Sequence, residues 1–300
     1  MPSRSEISLA GIFPPIPTPF QHDESLALEA LRLNLCRWNQ EPLFGYVVGG
    51  SNGEFVYLTP DERIKIVETA REEIPYGRLL IAGAAAESTG ETIRITARMA
   101  EAGADAAIVV TPSYFKGQMT ASVLEAHFGD VADASPIPVV LYSVPANTNI
   151  DLPASAIVPL AHHPNIIGLK DSGGDVAKLG TIIRDAPPGF QVLAGSASFL
   201  LGALAVGAVG AVSALANIAA GRLAELMEAY RRGDAEAARS LQLSLIEANR
   251  GVTSRFGVAG LKAAMDMLGY AGGPVRRPLR PLGEEDRQAL RAVLIEAGLL

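Results

Sequence analysis

Short apolar runs alternate with longer amphipathic segments along most of the chain. Eight of these runs are rich in Val, Ile and Leu and do not alternate with polar residues, which is typical of strands covered on both faces. They lie at residues 11–15, 46–50, 79–82, 106–110, 138–143, 166–170, 191–194 and 208–213. The pattern therefore predicts eight strands of a parallel sheet.

Helix signals occupy the segments between these runs. Thr59 and Ser88 each stand three residues before a glutamate, the spacing of a capping box, and a proline follows Thr59 directly. The apolar spacing predicts helices over 59–73 and 89–102, closed by Gly77 and Gly103. After residue 213 the pattern is helical only, over 218–232, 234–249, 253–268 and 284–296.

Eight strand and helix alternations predict a closed barrel rather than an open doubly wound sheet. We expect a (β/α)8 barrel over residues 1–232, followed by a C-terminal helical region over 233–300. A stretch of 36 residues, 186–221, holds no charged side chain. Glycines interrupt it and no basic cluster flanks it, so we expect a buried helix and strand there rather than a membrane span.

Composition and charge narrow the functional class. The chain has 300 residues, 49% of them hydrophobic, and a net charge of −7. It lacks the basic stripe that binds nucleic acid or an anionic membrane surface, so neither partner is expected. The amino terminus, 1–10, has no continuous apolar segment of a signal peptide, and we expect a cytoplasmic protein. The single cysteine, Cys36, is predicted to be a buried thiol.

Lys170 is the first candidate for chemistry. Active sites of such barrels lie at the carboxyl ends of the strands. The chain has only five lysines, and Lys170 alone ends an apolar strand run. Burial disfavours an ammonium and frees the amine to attack a carbonyl and form a Schiff base. The alternative from position alone is a structural lysine that reaches out to solvent from the strand end.

Other strand ends add polar groups. The second run leads into Ser51 and Asn52 within a glycine-rich turn, whose backbone amides would suit a carboxylate. The fifth run ends at Tyr142, and the fourth leads to Tyr114. Tyrosine and serine hydroxyls suit proton relay around an imine, although each tyrosine could instead serve packing. The glycine-rich segments match neither a dinucleotide-binding nor a Walker A motif, and the four histidines lack metal-ligand spacing. No cofactor and no metal are expected.

Six segments together resemble one known family. They are GIFPPIPTPF at 11–20, GSNGE at 50–54, GADAAIVVTPSY at 103–114, YSVP at 142–145, GLKDSGGD at 168–175 and LAGS at 193–196. They resemble the superfamily of dihydrodipicolinate synthase and N-acetylneuraminate lyase, whose members are class I aldolases and lyases. Within it, GSNGEF, LYSVPANT, KDSGGD, RFGVAGLKAAMD and GYAGGP are most similar to the 4-hydroxy-2-oxoglutarate aldolases.

The resemblance implies roles for individual residues. It implies a (β/α)8 barrel, usually a homotetramer built as a pair of dimers, that needs no cofactor. Lys170 matches the Schiff-base lysine, and Tyr142 matches the tyrosine that moves protons at the imine. Ser51 and Tyr114 match its relay partners, with the tyrosine expected from the neighbouring subunit. The residues expected to bind the keto acid and its aldehyde partner are Asn52, Gly50, Ser172, Gly173, Gly195 and Ser196.

One position departs from the synthases that the chain resembles. Typical dihydrodipicolinate synthases have an arginine two residues after the YNVP motif, where it binds the distant carboxylate of the aldehyde, and this chain has Asn147. An amide cannot replace a bidentate guanidinium. Lys170 is then the only basic side chain expected at the strand ends.

We therefore expect a lyase that cleaves 4-hydroxy-2-oxoglutarate to pyruvate and glyoxylate. The alternatives are 4-hydroxy-tetrahydrodipicolinate synthase and another pyruvate-dependent 2-keto acid lyase. A binding protein without catalysis, built on the same barrel, is a further alternative.

Overall fold

Eight parallel strands form a single sheet in the computed structural model, which describes residues 7–300. In order they are β1 Ile12–Phe13, β2 Gly45–Val48, β3 Leu79–Gly83, β4 Ala106–Val110, β5 Val139–Ser143, β6 Ile166–Asp171, β7 Gln191–Ala194 and β8 Gly210–Val212. From β2 to β8 each strand pairs with the next in the chain, and β8 pairs with β1. All eight predicted strand runs are therefore confirmed, with ends that differ by a few residues.

The barrel closes between β1 and β2. A parallel bridge joins Pro15 to Val47, where the amide of Ile16 donates to the carbonyl of Val47 at 2.9 Å. Side chains alternate between two buried layers, one inside the barrel and one between the sheet and the helices. In β5, for example, Val140 and Tyr142 belong to the inner layer and Leu141 to the outer one. The predicted (β/α)8 barrel is confirmed.

Helices surround the sheet and continue beyond it. Those that follow the strands are α1 Leu28–Trp38, α2 Pro60–Glu73, α3 Thr89–Glu101, α4 Ala121–Ala134, α5 Pro145–Thr148, α6 Ala154–Ala161, α7 Val176–Asp185, α8 Leu200–Ala205 and α9 Ala216–Arg231. The C-terminal helices are α10 Ala235–Ser244, α11 Ile246–Arg250, a π-helix Gly251–Arg255, α12 Gly257–Met267 and α13 Glu284–Glu296.

The predicted helix starts are present, with one difference. At α2 both halves of the capping box form: the amide of Glu62 donates to Thr59 Oγ1 and the amide of Thr59 donates to Glu62 Oε2, at 3.2 and 2.8 Å. At α3 only Ser88 caps, because the carboxylate of Glu91 pairs with Arg94 instead. Gly103 follows the end of α3 with a left-handed φ of 94°, whereas Gly77 lies in the turn beyond α2.

Two predicted helices differ from the structure. The segment 234–249 is divided at Leu245 into α10 and α11. The segment 253–268 begins inside the π-helix and continues as α12. Apolar spacing continues across both joints, so the sequence pattern does not mark them.

The prediction of a buried Cys36 is wrong, because its side chain is exposed on α1. That helix turns Leu31, Leu35 and Trp38 toward the core, and Cys36 falls on the opposite side. Its Sγ lies 3.7 Å from Glu73 Oε2.

The uncharged stretch 186–221 folds as β7, α8 and β8, and so contains the predicted helix and strand. Within residues 7–300, no helix is long and apolar enough to cross a membrane. The expectation about a signal peptide concerns in part residues 1–6, which lie outside the described residues.

Candidate active site

Lys170 and Tyr142 face each other across neighbouring strands. The sheet register pairs Tyr142 of β5 with Lys170 of β6, so both side chains point into the barrel at its carboxyl end. Lys170 Nζ lies 3.9 Å from the centre of the tyrosine ring. Both residues are buried, with 5% and 6% of their surfaces exposed. The amine is thus held against a phenol in a largely dry environment.

Ser51 joins this cluster from the carboxyl end of β2. It begins a short 3-10 helix, Ser51–Gly53, directly after β2, and its Oγ lies 3.5 Å from Tyr142 Oη. A hydrogen bond from outside the turn stabilises it, since Thr18 Oγ1 donates to the carbonyl of Gly53 at 2.7 Å. The amides of Gly53 and Glu54 donate to the carbonyls of Gly50 and Ser51 within the turn, so these two amides take no part in the predicted carboxylate cradle. An amine, a phenol and a serine hydroxyl therefore lie next to one another within one chain.

The surroundings of Tyr142 favour its ionised form. Burial by itself raises the pKa of this tyrosine. The positive charge of Lys170 and hydrogen bonds with Ser51, Lys170 and Ser172 act in the opposite direction and prevail. The pKa of Tyr142 consequently lies below that of an ordinary tyrosine, which suits a group that takes up and returns a proton.

A buried carboxylate shapes the loop after Lys170. Asp171 is fully buried, and its Oδ1 accepts a 2.8 Å hydrogen bond from the amide of Gly173. Its Oδ2 accepts a 2.8 Å bond from Lys178 Nζ, which also pairs with Asp151. This network turns the chain sharply and brings Ser172 and Gly173 to the barrel mouth. Sequence analysis did not identify Asp171 or Lys178 as residues that shape the site, because no local sequence pattern indicates that they form an ion pair.

The end of β7 packs tightly against the same loop. The amide of Gly195 donates to the carbonyl of Asp171 at 2.6 Å. A Cβ at Gly195 would lie 2.0 Å from Ser172 Oγ, so only glycine fits there. Ser196 Oγ accepts a 2.9 Å hydrogen bond from Asn249 Nδ2 in α11. The C-terminal helices are thereby joined to the barrel mouth.

A cavity of about 390 Å³ opens above Lys170. Eight of the predicted site residues line it: Lys170, Tyr142, Ser51, Asn52, Ser172, Gly173, Gly195 and Ser196. Gly50 does not; it borders a small void beneath Ser51 and Tyr142. Asn147 also lines the cavity, in the place where synthases of the resembled family were expected to have an arginine. Among the described residues, the buried Nδ2 of Asn52 has no hydrogen-bond partner.

Tyr114 is not part of this cluster within one chain. Its side chain is 79% exposed, and its ring packs edge-on against Phe115 with centres 5.0 Å apart. Its amide donates to Glu87 Oε2 at 2.9 Å, which holds the loop after β4 on the surface. The position is compatible with contact to a second subunit.

Lys170 is the only basic side chain that the sequence places at the strand ends, and the C-terminal helices add a second one to the cavity wall. Arg250, the last residue of α11, lines the same cavity, together with Asn249, Thr253 and Ser254. These four residues come from the C-terminal helices rather than from strand ends, and no motif marked them. Only the tertiary contact of α11 with the turn after β7 brings them to the site.

A second cavity of about 420 Å³ adjoins the first and shares Ser51, Val144 and Asn147 with it. Its lining includes Arg63, which is buried and donates to the carbonyl of Gly83 at 2.8 Å. Burial lowers the pKa of this guanidinium to about 10. Among residues 7–300, no three His, Cys, Asp or Glu side chains are grouped as a metal site would require.

Comparison with known proteins agrees with this geometry. An uncharacterized DapA-like lyase of Halobacterium salinarum is 39% identical over 99% of this chain and 97% of its own length. A 4-hydroxy-tetrahydrodipicolinate synthase of Methanoculleus marisnigri is 37% identical over 96% of this chain and 99% of its own.

Solved structures share the whole fold. YagE, a prophage protein of the dihydrodipicolinic acid synthase family from E. coli K12, was solved in complex with pyruvate. It is 30% identical, covers 97% of this chain and 99% of its own, and superposes with a TM-score of 0.90. A family model described as the dihydrodipicolinate synthetase family matches residues 8–297. The chain therefore belongs to the dihydrodipicolinate synthetase family of aldolase-type lyases.

Proposed function

We propose that this protein is a pyruvate-forming class I aldolase that cleaves 4-hydroxy-2-oxoglutarate to pyruvate and glyoxylate. The observation that carries the proposal is the contact of Lys170 Nζ with the ring of Tyr142, 3.9 Å from its centre, in the floor of the cavity. An amine, a phenol of lowered pKa and a serine hydroxyl in one cluster are the groups that imine chemistry requires.

The first half of the reaction forms the imine. The neutral amine of Lys170 attacks C2 of the keto acid, and loss of water from the carbinolamine gives an iminium. Tyr142 Oη supplies and removes the protons, and Ser51 Oγ, 3.5 Å away, connects it to the cavity. The buried positions of Lys170 and Tyr142 keep bulk water from competing with these transfers.

The second half breaks the carbon–carbon bond. Tyr142 in its phenolate form takes the proton of the C4 hydroxyl, and the C3–C4 bond breaks to release glyoxylate. The electron pair moves into the iminium and gives an enamine. Tyr142 then returns its proton to C3, and water hydrolyses the resulting iminium to pyruvate and free Lys170. No external oxidant or reductant is needed for this sequence.

The charge of the cavity supports a dicarboxylate substrate. Within the described part of the chain, its charged lining residues are Lys170 and Arg250, and no carboxylate lines it. 4-Hydroxy-2-oxoglutarate carries two carboxylates. Aspartate semialdehyde, the aldehyde used by dihydrodipicolinate synthases, carries an ammonium in addition to its carboxylate, and this ammonium finds no acidic partner here.

The second candidate is 4-hydroxy-tetrahydrodipicolinate synthase. It is favoured by the name of the Methanoculleus relative, which is 37% identical over nearly the full length of both chains. It shares the imine of Lys170 with pyruvate, and the two reactions differ only in the aldehyde. Asn147 in the cavity wall is the feature that speaks against it, because an amide binds a carboxylate more weakly than a bidentate arginine.

Two assays on the same purified protein distinguish these reactions. One follows pyruvate release from 4-hydroxy-2-oxoglutarate, and the other follows pyruvate consumption with aspartate semialdehyde. We expect the cleavage to have the larger kcat/KM. A faster condensation would assign the synthase activity, and failure of both assays would leave another 2-keto acid as the substrate.

The assembly and location belong to the same proposal. We propose a homotetramer in the cytoplasm that uses no cofactor, in which Tyr114 of one subunit reaches the site of its neighbour. The division into a barrel over 1–232 and a helical region over 233–300 is proposed with it, since Arg250 and Asn249 then give the helical region a direct part in the site.

A further inference from the structure

Arg250 gives the active-site cavity a second positive charge. Among the residues described, the cavity over Lys170 has two charged side chains in its wall, Lys170 and Arg250, and both are cationic. Lys170 gives up its positive charge in the reaction, because only the neutral amine attacks the keto carbon. Arg250 keeps its positive charge during the reaction, because a guanidinium is not deprotonated in proteins. It is therefore the permanent cation of the site.

The local structure fixes Arg250 at the rim. It ends α11, and the chain continues directly into the π-helix, a type of distortion that is frequent at functional sites. Its neighbour Asn249 is 2% exposed and donates to Ser196 Oγ at 2.9 Å, at the end of β7. Thr253 Oγ1 donates to the carbonyl of Asn249 at 2.6 Å. These bonds hold the backbone of Arg250 over the barrel mouth.

The guanidinium is available to a ligand. It pairs with Glu247 Oε1 at 2.8 Å, one helical turn earlier, and both side chains are more than half exposed. Ion pairs of this kind contribute little and are readily exchanged. The carboxylate of a substrate in the cavity can replace Glu247, or share the five N–H donors of the guanidinium with it.

We propose that Arg250 is a specificity-determining residue that binds the distal carboxylate of the substrate while Lys170 holds its keto carbon. The inference rests on the proposed function for the identity of that substrate. Arg250 would supply the positive charge that Asn147, which also lines the cavity, lacks. The site thus selects keto acids that carry a second carboxylate on the C4 side, and it disfavours aldehydes with an ammonium there.

A binding experiment tests this without catalysis. Isothermal titration measures the dissociation constants of 2-oxoglutarate and of 2-oxopentanoate, which has the same chain length but no distal carboxylate. The proteins are the full-length wild type and the variants Arg250→Gln, Arg250→Lys and Arg255→Gln. Arg255 is the matched control, because it ends the π-helix that follows Arg250, packs on Phe256 with 4.7 Å to the ring centre and does not line the cavity.

We expect the wild type to prefer 2-oxoglutarate by about 10- to 100-fold, the range of a charge-assisted hydrogen bond. Arg250→Gln removes this preference and leaves 2-oxopentanoate unchanged, Arg250→Lys retains part of it, and Arg255→Gln retains all of it. An equal preference in wild type and Arg250→Gln would overturn the proposal. So would the absence of any preference in the wild type.

Kinetics separate this proposal from the proposed function. If the wild type cleaves 4-hydroxy-2-oxoglutarate, Arg250→Gln should raise KM more than it lowers kcat. A wild type that does not cleave this substrate, but that shows the Arg250-dependent preference in binding, would refute the proposed reaction and retain the role of Arg250. Cleavage with an unchanged KM in Arg250→Gln would retain the reaction and refute the role.

Discussion

Glu54 and Lys262 form a salt bridge in the interior of the protein, with 2.6 Å between Lys262 Nζ and Glu54 Oε1 and about 1% of each side chain exposed. Glu54 follows the turn that carries Ser51 and has a left-handed φ of 57°, whereas Lys262 belongs to α12. Lys262 Nζ also donates to the carbonyl of Pro274 at 2.8 Å. The pair therefore links the Ser51 turn to the C-terminal helices.

Removal of one member of this pair should destabilise the fold strongly. In Lys262→Met the carboxylate of Glu54 stays buried without its cation, and loss of one partner of a buried pair costs about 3–5 kcal/mol. Urea denaturation measures the change. Lys65→Met is the matched control, since Lys65 pairs with Glu68 on the surface and both are about half exposed.

The double variant Glu54→Gln/Lys262→Met tests whether the unpaired charge of Glu54 causes this loss of stability. It removes the uncompensated charge and should recover part of the lost stability. A Lys262→Met protein as stable as Lys65→Met would mean that the buried pair is not a structural link.

Tyr142→Phe should lower kcat by about 10²- to 10⁴-fold with a much smaller change of KM, because the phenyl ring keeps the packing while the proton carrier is lost. Steady-state cleavage of the keto acid measures both constants, and circular dichroism checks the fold. Turnover near that of the wild type would show that the tyrosine is structural.

The pKa of Tyr142 should depend on Lys170. Burial raises this pKa, and the nearby ammonium is the main cause of the net lowering. Lys170→Met removes both the cation and its hydrogen bond to Tyr142, so the pKa of Tyr142 should rise and the phenol should ionise at a higher pH than in the wild type. Tyrosinate absorbance against pH, with Tyr142→Phe versions of both proteins subtracted, measures the difference. The same ionisation pH in both proteins would contradict the electrostatic account.

Tyr114 should act across a subunit interface. Its side chain is 79% exposed and does not line the cavity of its own chain, so we propose that it serves the site of a neighbouring copy. Lys170→Ala and Tyr114→Phe proteins, each inactive alone, should regain part of the activity when their subunits exchange. Proven exchange without recovery would place Tyr114 outside the relay.

Sequence analysis predicted the parts of the molecule that depend on local pattern. The strand ends could be placed because buried parallel strands form short apolar runs, and Lys170 and Tyr142 each close one of them. The sheet then aligns the two residues in register. Ser51, which follows the second run, lies close to them, with 3.5 Å between its Oγ and Tyr142 Oη.

The remaining features depend on tertiary contacts. Lys262, on a helix with ordinary spacing, is more buried than Lys170, because Glu54 and the ring of Phe20 meet it from distant parts of the chain. Cys36 is exposed because its position on α1 faces away from the core. Arg250 reaches the site only through the docking of α11. Burial alone thus does not distinguish the reactive lysine; its place in the cavity does.

Covalent trapping tests the central claim most directly. The protein is incubated with pyruvate and borohydride, and the reduced adduct is mapped by mass spectrometry. We expect a single label on Lys170, since Lys262 and Lys178 are tied to carboxylates and do not line the cavity. Lys170→Met should take up no label. A label on another lysine, or none in the wild type, would contradict the Schiff-base mechanism.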